Sequence, residues 1–194
     1  ARTHEERARL EYLGDRQEWD EILEIVTPQE ARSDEFKKRY ALLALIEKGC
    51  LVDYAFRYGL SSSEDFFFNE TIEPMSLNFN AMFYQRIGIQ NASIHQAYQL
   101  GVQSVSGMGF ASLRRLADLY LSLNDYKMAS KYIDILSHST CHGKWVESRM
   151  KHLEAIKDAE PAYAPELYQA TIANFTHTIS SLVDRNREDH KYAD

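Results

Sequence analysis

His138, Cys141, His142 and, further along, His152 are the side chains whose types could do chemistry first. Imidazole and thiolate gathered after a helix could hold zinc. A structural site, however, wants four ligands of defined geometry, and these spacings match no established finger. Cys141-His142 could also be imagined as a nucleophile and its base. Adjacent side chains seldom face each other, though, and no third group stands out to orient the base. Helix-end capping and ordinary surface histidines account for the cluster better. The paired acids Glu5-Glu6, Asp20-Glu21 and Glu64-Asp65 do acid–base work only inside a desolvated cleft. Here they alternate with Arg and Lys, which reads as solvated i,i+4 partners on helix faces. No catalytic residue, metal ligand set or cofactor site follows from these residues.

A different kind of constellation lies mid-chain. From Phe66 to Phe110 only Glu70, Glu73 and Arg86 are charged, while both flanks are dense in charge. The same stretch carries Phe66, Phe67, Phe68, Tyr84 and Tyr98 interleaved with Gln85, Gln96, Gln99 and Gln103. One reading is a neutral polar and aromatic surface facing a peptide, a partner helix or a small neutral ligand. The other is that central helices are covered on two sides and simply expose less, since apolar runs at helical spacing are usually core. Under either reading Phe66, Phe67 and Phe68 fan round a helix, so at least one is expected to be exposed or docked elsewhere.

The composition narrows the classes. A chain of 194 residues with 44% hydrophobic content can bury one good-sized core, and a single domain over 1–194 is expected. A net charge of −7 argues against a general nucleic-acid binder, which needs a broad basic face. Lys37–Arg39 and Arg114–Arg115 read as solvated helix faces. Two cysteines, Cys50 and Cys141, are too few for a disulfide-stapled secreted domain. No run approaches a membrane-spanning length. The chain begins at Ala1 with no initiator Met, which reads as a processed chain or a fragment of a longer one.

The elements that must position these residues are helical hairpins. Leu113, Leu116, Ala117 and Tyr120 fall on one helical face, Asn124-Asp125 supplies turn and cap chemistry, and Tyr126, Ala129, Ile133 and Leu136 begin a second stripe. Leu10, Leu13, Trp19, Ile22 and Val26 outline an earlier hairpin around Gly14-Asp15. Thr27-Pro28-Gln29-Glu30 is a capping box with Pro at the first helical position, and Ser33-Asp34 offers a competing start one turn on. A helix over 36–48 stops at Gly49, and Leu51, Tyr54, Ala55 and Tyr58 make a second stripe ending at Gly59. Leu77–Ile87 and Ala92–Val105 pair across Gly88, and Ser106-Gly107-Met108-Gly109 links them to the next hairpin. Lys144–Ala159 and a helix from Pro165 to about Val183 close the array, with 185–194 a frayed tail. Trp19 and Trp145 are expected in the core.

Ile22 to Ala55 is 33 residues, Ala97 to Ala129 is 32, and Ala55 to Ala97 is 42. The first two lie near a 34-residue period, and the third implies about eight extra residues, placed near 61–74. Leu113, Leu116-Ala117, Tyr120, Asp125-Tyr126 and Ala129 resemble a tetratricopeptide repeat, although Ile22 replaces the small residue in the first unit. That resemblance implies an all-α, right-handed solenoid of three to four helical hairpins over 9–141, with the helices of 144–184 as a C-terminal cap. It also implies a non-enzymatic module that binds a protein or peptide. A second resemblance runs through Asn78–Gly88, Leu113–Leu136 and Cys141–Trp145. It is to the C-terminal portion of an uncharacterised bacterial family whose N-terminal half is a multi-pass membrane region. It implies a chain tethered to the bacterial inner membrane, with no catalytic residues to carry over.

Overall fold

The computed structural model describes residues 2–105 and 107–191, and its regular structure among them is eleven α-helices and one 3₁₀ turn, with no strand. The chain is all-helical, as its periodicity predicts. Of the linker at 106–109, Ser106 lies outside the described residues.

The first region is built from α1 (Arg2–Asp15), α2 (Trp19–Ile25), α3 (Pro28–Ser33), α4 (Glu35–Glu47) and the single turn α5 (Leu51–Tyr54). Both helix starts written at 27–34 are used. Thr27 and Glu30 form the reciprocal capping box of α3, and Asp34 accepts from the Phe36 and Lys37 N–H groups to begin α4. Two caps seven residues apart break what would otherwise be one long helix. From Tyr40 to Leu45 every residue of α4 is at most 2% exposed. A helix apolar on all faces must be enclosed, and α4 is wrapped by α1, α2, α3, α6 (Pro74–Arg86) and the 3₁₀ turn Ser63–Phe66.

The second stripe of this region is shorter than the sequence pattern suggests. Ala55 is fully buried, but the helix stops after Tyr54. Arg32 donates to the Arg57 carbonyl, and the Ser61 N–H goes to Asp65 Oδ2 at 2.6 Å. Those are the groups that a continuing helix would pair with each other. Gly59, at φ +88°, then turns the chain away. Asp65 pins the following loop. It is 7% exposed, accepts from Ser61 Oγ and the Ser62 N–H, and pairs with Lys38 Nζ at 3.3 Å. Burial pulls its carboxyl up, but these donors outweigh burial and hold it below the usual range. Lys38 is itself 7% exposed, so the 37–39 cluster is not the solvated face expected of it.

The second region is α6, α7 (Gln90–Gln103), α8 (Phe110–Ser122), α9 (Tyr126–Ser137) and α10 (Gly143–Ala155), each packed on the one before. Asn124 takes φ +55° and Asp125 accepts from the Met128 N–H, which makes the tight turn between α8 and α9. Ala81, Ala97, Ala117 and Ala129 are fully buried where these helices meet. α6 is a wall shared by both cores: Phe79 and Phe83 face the first and Ala81 the second. That is why Ser76 through Phe83 are all buried and carry no charge.

α11 (Pro165–Lys191) departs from the expected end cap. The Ala162 N–H donates to the Leu123 carbonyl at 2.7 Å, and Tyr168 packs with Ile89 and Leu123. Phe175 then meets Phe66 edge-on at 5.2 Å, and Ile179 and Val183 join the first core. The helix thus runs back over the molecule, its apolar residues joining first the small cluster of Ile89 and Leu123 and then the first core. It also continues to Lys191 instead of stopping near Val183, with His190 bonded to the Asn186 carbonyl in its last turns. Residues 192–194 of the expected tail lie outside the described residues.

Candidate functional site

The aromatic residues singled out in the sequence are mostly interior. Phe66 is fully buried and stacks on Phe83, while Phe67 lies against Phe83 and Tyr84. Phe68 turns the other way, onto Phe36 and Phe79, with the Arg39 guanidinium 4.2 Å above its ring. None of the three is exposed. Phe67 is in extended conformation, so the three rings do not fan round one helix axis: two share Phe83 and the third turns away. Asn80 holds the segment in place by bonding both the N–H and the carbonyl of Phe68 at 2.8 Å.

The remaining members separate. Tyr84 joins the first core, whereas the Tyr98 hydroxyl bonds those of Tyr120 and Tyr132 in the second. Burial, and then the bond from Tyr98, push the Tyr120 and Tyr132 hydroxyls up, so both stay protonated. Gln96 accepts from Asn80 and, with Gln99, Phe68 and His95, borders a hollow of about 360 Å³ between α7 and the loop before α6. Gln103 is exposed near the end of α7. Gln85 lies elsewhere, bonded to Arg115.

The cysteine and histidine cluster is not drawn together. His138 Nδ1 bonds the Asp134 carbonyl at 2.8 Å, His142 packs against Phe110, and Cys141 is exposed and free. Among the described residues no group of three or more His, Cys, Asp or Glu could hold a metal ion.

Gln85 leads to the cleft the sequence did not advertise. A cavity of about 210 Å³ opens between α1, α6, α8 and α10. α1 gives Gly14 and Asp15, α6 gives Met82, Gln85 and Arg86, α8 gives Ala111, Arg114, Arg115 and Asp118, and α10 gives Trp145 and Arg149. α1 sits close because Gly14 has no side chain: a Cβ there would meet Met82 Sδ and Tyr40 Cε1, both at 2.9 Å.

Behind the cleft runs a buried polar chain. Asn78 donates to Glu11 Oε1 at 2.7 Å, and its own oxygen accepts from Arg115 Nη1 at 2.7 Å. Arg115 also reaches Asp15 at 2.8 Å and Gln85 at 3.2 Å. One guanidinium therefore ties α8 to α6 and α1, and it is only 7% exposed. Burial raises the Glu11 carboxyl above its ordinary range, against the Asn78 bond that lowers it. The expectation that Arg114–Arg115 form a solvated face is wrong for Arg115. A signal was there: Ser112 and Leu119 lie three residues before and four after it, tracing a second buried stripe on α8.

The other three arginines differ in how they are held. Arg86 pairs with Glu47, and Arg149 binds Asp118 at 2.6 Å while lying 5.1 Å above the Trp145 ring. Arg114 makes no hydrogen bond or ion pair among the described residues. Asp15, Glu47 and Asp118 each offset one of the four guanidinium groups, so Arg114 leaves the cleft one positive charge in excess on a chain of net charge −7. Trp145, expected in the core, is half-buried and forms part of this wall.

No curated protein and no solved structure matches this chain. Residues 1–189 match the model of a family described as a family of unknown function (DUF6057), and with nearly the whole chain inside that match the protein belongs to this family.

Proposed function

We propose that this chain is a tetratricopeptide-like stack of helical hairpins acting as a non-enzymatic interaction module, with an extended peptide segment held in the cleft of α1, α6, α8 and α10. The observation that carries the reading is that α6, α8 and α10, alternate helices of the serial stack, line a single open groove together with the end of α1. Stacked hairpins create such concave surfaces because each unit contributes the same edge. The helix-on-helix packing of α6 through α10 and the buried alanines at its contacts support the repeat reading. The groove, and not the central aromatic stretch, is the better binding surface, because Phe66, Phe67 and Phe68 are committed to packing.

Peptides selected from a random display library against the Trp19→Phe variant should change the emission of Trp145, which lines the groove. Enriched peptides that leave Trp145 emission unchanged, or no enrichment at all, would contradict the reading. The resemblance to a bacterial membrane family adds a second element, that the module is carried by a membrane-anchored protein. No helix among the described residues is long and apolar enough to cross a membrane. Cell fractionation probed with an antibody to this chain tests that element, and recovery wholly in the soluble fraction would remove it.

A further inference from the structure

Building on the peptide reading, we infer that the groove is selective for an acidic peptide and that Arg114 is the residue that takes its carboxylates. The four arginines of the groove are not equivalent. Arg115 has its donors spread over Asp15, Asn78 and Gln85 and is fixed in the wall. Arg86 and Arg149 are each engaged by one carboxylate, Glu47 and Asp118. Arg114 alone among them presents a guanidinium with no partner among the described residues, on the same helix and one residue away from the fixed Arg115.

A planar guanidinium with five donors pairs with a carboxylate through two parallel bonds, which fixes direction as well as charge. The partly enclosed wall makes that pairing stronger than on open surface, since screening by water is reduced. Arg149, stacked over Trp145 and bound to Asp118, offers a second position where an incoming carboxylate can compete for the guanidinium. Trp145 gives the aliphatic part of an acidic side chain an apolar face to lie on. The groove offers one uncompensated guanidinium and the whole chain carries −7, which disfavours a long polyanion such as nucleic acid lying across the surface, so a short acidic stretch of polypeptide is the fitting occupant.

The test uses a fluorescein-labelled peptide of four Glu-Ala repeats, its Gln-Ala counterpart, and inorganic pyrophosphate, each titrated against the full chain by polarisation or calorimetry. The Glu peptide should bind at least about tenfold more tightly than the Gln peptide, and its affinity should fall as salt is raised through a Debye length of about 8 Å. Arg114→Gln should cost about tenfold, as loss of one charge-assisted pair does. Ala111→Glu, a charge placed on the groove wall in the first turn of α8, should abolish binding with the circular-dichroism melt unchanged. Equal affinity for the Glu and Gln peptides, or an Arg114→Gln variant that binds normally, overturns the inference. So does pyrophosphate binding more tightly than the Glu peptide, which would make this a small-anion site. Library peptides that occupy the groove without any preference for acid would leave the peptide reading intact, whereas none occupying it at all would remove both.

Discussion

α4 and α8 are both 13-residue helices that cross the middle of a core, and they reach burial by different routes. α4 is enclosed by the elements packed around it, so its sequence from Tyr40 to Ile46 is nearly continuous apolar. α8 is buried along two stripes, one against α9 and one toward α6 and α1, and it keeps Arg114 open to the groove. Enclosure gives mechanical fixity and leaves nothing to bind with. Serial packing leaves edges of α6, α8 and α10 uncovered, and with the end of α1 those edges make the groove. Arg115 is where the two arrangements meet, since it reaches from α8 to α1 and α6.

Each region carries one tryptophan, Trp19 in the first core and Trp145 on the groove, so single-tryptophan variants report on the two separately. Arg115→Ala removes the tie and strands Asp15 and Gln85. It should cost about 3–5 kcal/mol and lower the urea midpoint read from both tryptophans. A fall in only one would mean that Arg115 belongs to one region and not to the joint. Leu116→Ala opens a cavity in the second core alone and should cost about 2–5 kcal/mol there. The Trp145 curve should move more than twice as far as the Trp19 curve; equal shifts would show that the regions unfold as one.

Gly14→Ala drives a methyl into Met82 and Tyr40 where α1 crosses the shared wall, at a cost of about 1–3 kcal/mol seen chiefly at Trp19. A neutral or stabilising result would mean that α1 can back away. The smallest effect is electrostatic. The Thr27 N–H, then the Lys37 ammonium and the Thr27 hydroxyl, hold the Glu30 carboxyl down at about 2. A depressed folded-state value gives stability that is present above the unfolded carboxylate range and is lost as pH falls toward 2. The Glu30 side chain is 41% exposed and its pairing is screened by water, so Glu30→Gln should lose under about 1 kcal/mol at pH 7. The difference from the parent should close on acidification, and one that persists undiminished at pH 2 would assign it to packing.

Local chemistry was readable wherever a residue acts on its own neighbours. The Thr27 capping box, the Asn124-Asp125 turn and the positive-φ stops at Gly49 and Gly88 are all in place because each is decided within a few residues. What the sequence withheld depends on distant partners. The stripe after Cys50 promised a helix, and Arg32 and Asp65 captured the backbone groups that it needed. Phe66 and its neighbours look like an available surface until Asn80 and Phe83 are brought to them from α6. Arg115 looks like any exposed charge beside Arg114 until Asp15, a hundred residues earlier, is placed against it. The groove is assembled from four helices, so no single stretch could display it.

Where a peptide lands on the chain separates the arginine-lined groove from the aromatic stretch. Backbone amide shifts of the isotopically labelled chain, followed during titration with the Glu-Ala peptide, should move at Asp15, Gln85, Arg114, Asp118 and Trp145, on all four groove helices together. Shifts gathered instead around Gln96, Gln99 and the loop that carries Phe68, with the arginine groove silent, would contradict it.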